Sequence, residues 1–324
     1  MVLPSVVLGG DWIVAAIDIG KTAFAGFGLI SRKPLTILGW GIFILVVGIL
    51  PVVALLAAMG PAFADLMATA KSGDPPTSEQ MMPLMSGWYA VNPILWLLGL
   101  IVRVMLAGAI FRAILEPRES RWAYLRLGMG EVMLTLVVIC LSILLTVGIM
   151  VWTGVTVGIC FALWQASHAA AIGVGIVSCL AMLIGVFWVS LRLSLAAPMS
   201  FAEKNFRLFE SWKLTRGNAV NLLLVAIILV VMIFVVEAVV IAVVMAVGLG
   251  AAGAMGGLGG EGMNEQAIEA FFRQPPSVWI ATLGPWLAVA GVLASIIGAA
   301  VMAVVTAPWA EAYRQLRPTP DAVV

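Results

Sequence analysis

Residues 194–225 read SLAAPMSFAEKNFRLFESWKLTRGNAVNLLLV and separate two long apolar runs. Ser200 and Glu203 have the spacing of a capping box at a helix N-terminus. Apolar side chains then recur at helical spacing; they are Ala202, Phe206, Phe209 and Trp212. The pattern predicts an amphipathic helix over residues 199–215 that lies in the lipid headgroup layer, with its apolar face towards the membrane.

The composition around this stretch is that of an integral membrane protein. Hydrophobic residues make up 63% of the 324 residues and charged residues only 10%. A soluble domain is about half apolar and about one quarter charged. The net charge of +1 argues against nucleic acid as a partner, because phosphate binding needs a concentrated basic surface.

Six apolar runs reach the length of about 20 residues that a spanning helix needs. They cover approximately residues 35–58, 93–115, 130–164, 171–195, 219–249 and 278–307. The third run exceeds 50 Å as one helix, at about 1.5 Å per residue. We therefore expect a break near Thr153 and Gly154, with residues 153–170 forming an interfacial or re-entrant piece; a strongly tilted helix is the alternative.

Basic residues indicate the orientation of the chain. Fourteen of the 17 Lys and Arg fall in four clusters between the apolar runs. The clusters are Lys21, Arg32 and Lys33; Arg112, Arg118, Arg121 and Arg126; Arg192, Lys204, Arg207, Lys213 and Arg216; and Arg314 and Arg317. Short basic loops stay on the cytoplasmic side, so both termini are expected in the cytoplasm.

The clusters also suggest a repeat within a single membrane domain, residues 1–324. Three units are predicted, at approximately residues 11–115, 116–198 and 199–317. Each combines a cytoplasmic interfacial amphipathic helix with a transmembrane hairpin. In the first unit one face is polar and the other apolar; the residues are Asp11, Asp18 and Thr22 against Ile13, Ile17, Phe24 and Phe27. The middle copy, EPRESRWAYLRLG, is less regular.

Two charged residues stand inside apolar runs at matching depth. Arg103 lies in the second run and Glu237 in the fifth. An ionisable residue at mid-bilayer is costly and is a candidate for function. A buried Arg103–Glu237 pair either locks two helices together or belongs to a substrate or ion pathway, and an Arg reaching outward to the interface is a further alternative.

The cluster after the fourth run supplies candidate contacts to lipid. Lys204, Arg207, Lys213 and Arg216 are placed at headgroup depth by the predicted helix, and Phe206, Phe209 and Trp212 are its candidate interfacial anchors. One interpretation is that these cations are only topology signals. The other is that they also bind anionic lipid headgroups, with a contribution of about 1 kcal/mol from each basic residue near the surface.

No catalytic motif is visible. The chain has one His and three Cys, without a nucleophile–base set, a paired acidic motif or a phosphate-binding loop. No metal site is expected, since three thiols lacking CxxC spacing do not form one. We expect neither an enzyme nor a bound cofactor.

Three segments together resemble a known family. FGLISRKPLTILGWGIF (residues 27–43), the stretch at 194–225 and APWAEAYRQLR (residues 307–317) are similar to the membrane domain attached to some bacterial glycerophosphoryl diester phosphodiesterases, and to the related YciC-like inner-membrane proteins. The resemblance implies a six-helix protein of the bacterial inner membrane. The phosphodiesterase activity of that family belongs to a separate soluble barrel, and we expect no such domain between the spans of this chain. A link to membrane lipids is implied by analogy.

Two functions are carried forward from the sequence. The first is a non-enzymatic inner-membrane protein that binds lipids, or serves as a scaffold or partner-binding protein, through its cytoplasmic amphipathic helices. Membrane lipids are its expected partners, and another membrane protein or a second copy of this chain is left open. The alternative is a small transporter or channel with an intramembrane site at Arg103 and Glu237, which a broken third helix would support.

Overall fold

The computed structural model describes residues 17–72, 77–117, 121–254, 258–259, 262–263, 274 and 276–317. Within these ranges the chain is almost wholly helical. The α-helices are α1 (Ile19–Ala23), α2 (Ala25–Arg32), α3 (Pro34–Ser72), α4 (Ser78–Leu115), α5 (Met129–Trp164), α6 (His168–Leu193), α7 (Ala196–Glu203), α8 (Glu210–Leu214), α9 (Ala219–Ala254) and α10 (Pro276–Leu316). A 3-10 turn covers Arg121–Tyr124, and two short strands, β1 (Leu258–Gly259) and β2 (Gly262–Met263), pair antiparallel.

Six helical segments of the described chain are long and apolar enough to cross a membrane. They are Pro34–Ala62, Ser78–Leu115, Met129–Trp164, His168–Glu203, Ala219–Ala254 and Ala281–Leu316. Lipid offers no partner for backbone N–H and C=O groups, so an apolar run in a bilayer satisfies them within a helix. The predicted all-α, multi-pass membrane class is confirmed.

The third span contradicts the predicted break near Thr153. Helix α5 runs without interruption for 36 residues, which is about 54 Å at 1.5 Å per residue. A methyl group added at Gly154 or Gly158 would meet no atom within 4 Å, so neither glycine marks a close approach or a turn. The helical hydrogen bonds that lipid enforces override the weak helix preference of glycine here. Residues 153–164 continue α5, and α6 begins at His168 after a short turn.

Helices α5 and α6 pack side by side in opposite directions. The Trp152 indole donates to the Ser178 hydroxyl at 2.9 Å, and the Cys160 thiol donates to the Ala171 carbonyl at 3.4 Å. Later residues of α5 thus contact earlier residues of α6. Thr156 and Ser178 share a hydroxyl–hydroxyl bond of 2.6 Å. These bonds between spans bring the third and fourth runs together, and the predicted arrangement as three hairpins stays a prediction.

The amphipathic helix predicted over residues 199–215 is two short helices. Helix α7 ends at Glu203 because Lys204 adopts the left-handed conformation, with φ of 54°, and α8 begins only at Glu210. Ser200 lies inside α7 and is not its cap. Its hydroxyl accepts a hydrogen bond from the Arg207 backbone N–H at 2.9 Å. This bond holds the reversal of the chain after α7.

The other two predicted amphipathic copies also differ from a single helix. The first is divided into α1 and α2, and its Asp11 and Ile13 lie outside the described residues. In the middle copy the described part is the 3-10 turn, where Ala123 and Tyr124 have positive φ of 52° and 65°. Those angles are incompatible with an α-helix.

The chain divides into two compact units. Unit 1 comprises Met1–Gly26, Gly108–Leu229 and Thr306–Val324, and unit 2 comprises Phe27–Ala107 and Val230–Val305. Neither unit coincides with one predicted repeat, so the threefold repeat stays a prediction. In the described part of unit 1, one apolar core joins Leu195, Leu222 and Tyr313. In unit 2 the Trp40 side chain is completely buried.

Candidate functional site

A buried ion pair lies at the start of α5 in unit 1. Arg112, near the end of α4, pairs with Glu131, and their side chains are only 3% and 2% exposed. The second guanidinium nitrogen of Arg112 donates to the Tyr124 carbonyl at 2.6 Å. The other Glu131 oxygen accepts from the Gly128 N–H at 3.0 Å, which also caps the first turn of α5. Burying two charges is costly unless they are paired and hydrogen-bonded, and both conditions hold here.

Small and aromatic residues enclose this pair. The Arg112 guanidinium lies 5.3 Å from the centre of the Phe201 ring. Gly108 and Gly130 leave the necessary space, since a methyl group at Gly108 would lie 2.5 Å from the Glu131 Oε1 and one at Gly130 would lie 2.9 Å from the Phe201 ring. Phe201 of α7 thereby contacts both ends of the α4–α5 connection. These contacts fix the position of α7 against α4 and α5.

A second polar cluster joins α1 to the end of α10. The buried Glu311 carboxylate pairs with Arg314 at 2.7 Å and with Lys21 at 3.8 Å. The Gln315 amide donates to the Glu311 carboxylate at 3.0 Å and accepts from the Asp18 backbone N–H at 2.8 Å. These contacts use the basic residues Lys21 and Arg314 structurally.

We call residues 204–216, which link α7 to α9 and include α8, the basic segment. Four of its residues are predicted headgroup contacts. One of them, Arg207, forms ion pairs with Glu203 at 2.5 Å and with Glu210 at 3.9 Å. Lys204, Lys213 and Arg216 are exposed. Among the described residues no carboxylate lies within ion-pair distance of these three cations. The segment therefore carries uncompensated positive charge.

The three predicted anchors stand beside these cations. Phe206, Phe209 and Trp212 are 43%, 67% and 42% exposed. The large apolar side chain that the basic segment buries is instead Leu208, which packs against Val137 and Ala196. The interruption after Lys204 shifts the buried position relative to a continuous helix. Three large aromatic side chains are left free to enter an apolar phase.

Arg192 is a further cation at this site that the sequence did not single out. Its guanidinium carbon lies 4.9 Å from the ring centre of Trp188 and 5.5 Å from that of Trp212. The Nε and Nη1 atoms are buried and have no hydrogen-bond acceptor among the described residues. Its backbone carbonyl accepts from the Ser211 hydroxyl at 2.9 Å, which ties α8 to the end of α6. The two indole faces stabilise the positive charge of this guanidinium group.

One half of this arrangement was visible in the sequence. Trp188 and Arg192 are four residues apart in an apolar run, the spacing that brings side chains together on a helix. The approach of Trp212 depends on the reversal after Glu203, and nothing in the local sequence predicts that reversal.

The predicted intramembrane pair is placed differently. Arg103 and Glu237 both belong to unit 2 and both are exposed. No ion pair between them occurs in the described part of the chain. Glu237 instead lines a cavity of about 810 Å³ formed by α9 and α10.

The described residues contain no group of three His, Cys, Asp or Glu side chains that could hold a metal ion. Comparison with protein-family models, with curated proteins and with solved structures finds no match to this chain.

Proposed function

We propose that this multi-pass membrane protein binds anionic phospholipid headgroups at the cytoplasmic face of the bacterial inner membrane. The observation that carries the proposal is the set of cations without carboxylate partners at the basic segment. Lys204, Lys213, Arg216 and Arg192 lie on or against one short stretch of chain. Exposed Phe206, Phe209 and Trp212 accompany them.

The two kinds of side chain suit a phospholipid better than they suit a soluble anion. A phosphate attracts the cations, while the aromatic rings enter the boundary between headgroups and acyl chains. Each basic residue near an anionic surface contributes about 1 kcal/mol. The resemblance to the membrane domain of glycerophosphoryl diester phosphodiesterases supports a phospholipid ligand by analogy.

The role is non-enzymatic: headgroup binding anchors and orients the cytoplasmic side of the helices, and can recruit a second membrane protein or a second copy of this chain. The transporter or channel alternative loses one argument, because α5 is unbroken. Its remaining support is Glu237, which lies in a cavity without Arg103.

The test is a lipid titration of the full chain in detergent, read by native mass spectrometry. Phosphatidylglycerol should bind more tightly than phosphatidylcholine. Lys213→Gln with Arg216→Gln should weaken phosphatidylglycerol binding about 30-fold, since two contributions of about 1 kcal/mol are removed. As a matched control, Lys71→Gln with Arg273→Gln removes the same charge from two positions expected on the outer side of the membrane, and this double variant should leave binding unchanged. Equal loss in both double variants would reject a localised headgroup site.

A further inference from the structure

The cavity in unit 2 is apolar apart from one carboxylate. It is formed by residues 233–251 of α9 and residues 283–305 of α10, with a volume of about 810 Å³. Glu237 is the single ionisable side chain among its lining residues, and the rest are aliphatic, glycine or Trp286. Pockets for small organic ligands have volumes of about 300–1,000 Å³ and a few placed polar groups.

Glu237 lies at the middle of the most apolar helix. It is the 19th of the 36 residues of α9, about 27 Å from either end at 1.5 Å per residue. No basic side chain of the described chain pairs with it. A carboxylate at that depth is costly without a positive partner, which makes Glu237 a candidate binding group for a cationic ligand.

The lining decides which cation fits. A small metal ion needs several oxygen ligands, and the cavity offers one carboxylate among aliphatic side chains. A hydrophobic organic monocation meets both requirements, because its charge pairs with Glu237 while its apolar groups contact valine, isoleucine and leucine.

The position of Glu237 along the cavity decides the shape of that cation. Trp286 packs so closely against Gly250 that any side chain there would overlap the indole ring. Gly250 is 13 residues beyond Glu237 in α9, about 20 Å along the helix axis. The carboxylate and the Trp286 end are thus well separated within one elongated cavity, which suits a charged head with a long apolar tail.

We propose that the α9–α10 cavity binds long-chain organic monocations, with the quaternary or protonated amine at Glu237 and the alkyl chain directed towards Trp286. This site is independent of the headgroup site on the basic segment. It gives the protein a second ligand class, cationic amphiphiles that reach it from within the bilayer.

The test uses the full chain in nanodiscs and equilibrium dialysis of radiolabelled dodecyltrimethylammonium, with empty nanodiscs subtracted. Saturable binding is expected. Glu237→Gln should weaken it on the order of tenfold or more, since a desolvated charge partner is removed, and Glu237→Asp should retain most of it. Ala294→Phe, which fills the cavity beside α9, should also weaken binding while leaving the carboxylate in place.

Dodecanol is the matched neutral probe. If dodecanol binds as well as the cation and Glu237→Gln changes neither, the cavity is an acyl-chain groove and the proposal is wrong. Absence of saturable binding to a properly folded wild-type chain also overturns it. Phosphatidylglycerol binding by Glu237→Gln should equal that of the wild type, so failure here is distinguishable from failure of the headgroup site.

Discussion

The Arg112 guanidinium and the Glu131 carboxylate form an ion pair that is sealed from its surroundings, with 3% and 2% of the side chains exposed. The pair closes the connection between α4 and α5, and Phe201 of α7 covers it. Removing one partner of a buried pair leaves an unpaired charge, which costs about 3–5 kcal/mol.

Arg112→Met and Glu131→Gln should each lower the thermal stability of the purified chain strongly, and the double variant should lose less than the sum of the two. The measurement is fluorescence-detected size exclusion after heating in detergent. Arg126→Met is the control, since Arg126 lies 3.9 Å from Glu116 in an exposed pair and such pairs contribute about 0–1 kcal/mol. Strictly additive losses would contradict the coupling.

The glycines around the pair give a steric prediction. Gly130→Ala places a methyl group 2.9 Å from the Phe201 ring and should destabilise the chain by about 1–3 kcal/mol, the range for overpacking. Gly148→Ala in the same helix meets no atom within 4 Å and serves as the control. A Gly130→Ala variant as stable as the control would mean that Phe201 does not pack on α5 in this way.

Continuity of α5 can be tested at Gly154 and Gly158. Because both lie in an uninterrupted helix with open space around them, replacing each with alanine should stabilise the chain by up to about 1 kcal/mol. The readout is the same heating assay. Destabilisation by either substitution would point to a turn or re-entrant break at this position.

The stacked guanidinium predicts coupling between α6 and α8. Arg192→Met and Trp212→Leu should interact in a double-mutant cycle by about 0.5–2 kcal/mol, the range for cation–π contacts. Arg192→Lys should recover only part of the stability, because an ammonium lacks the flat face that stacks on indole. A coupling energy of zero would show that the two side chains are neighbours without an energetic link.

Orientation is testable by cysteine labelling in a background with the three native cysteines replaced by serine. Lys213→Cys and Arg317→Cys should react with a membrane-impermeant maleimide only in inside-out vesicles, as short basic loops stay inside. Ser78→Cys, at the start of α4, should react from outside in intact cells. Reaction of Lys213→Cys in intact cells would invert the assignment.

The spans could be predicted because hydropathy is a local property of the sequence. Phe209 and Trp212 were predicted as interfacial anchors, which stays a prediction. The buried Leu208 was missed, because the left-handed Lys204 changes the register and a continuous helix was assumed. Arg112 and Glu131 were missed as a pair. A signal existed, since Arg112 closes the second apolar run and Glu131 opens the third, but the clustered arginines of that region were interpreted only as topology signals.

The cavity at Glu237 could not be derived from one sequence. The positions of Glu237 and Arg103 within their apolar runs give their depth in the membrane, and the matching depths suggested that they form a pair. Which faces of the helices meet depends on side-chain packing over whole spans, and nearly uniform apolar runs such as α9 carry no periodic signal that fixes a face.

The hydrogen bond from the Asp18 N–H to the Gln315 side chain joins residues 297 positions apart. At a synthesis rate of about 5–20 residues per second, Asp18 leaves the ribosome between roughly 15 and 60 s before its partner. Helix α1 and the residue before it therefore cannot make their polar contacts with Glu311 and Gln315 until α10 has been made. Completion of this polar cluster therefore waits for the synthesis of α10, and a ribosome stalled before Glu311 should leave α1 more accessible to protease than it is in the full chain.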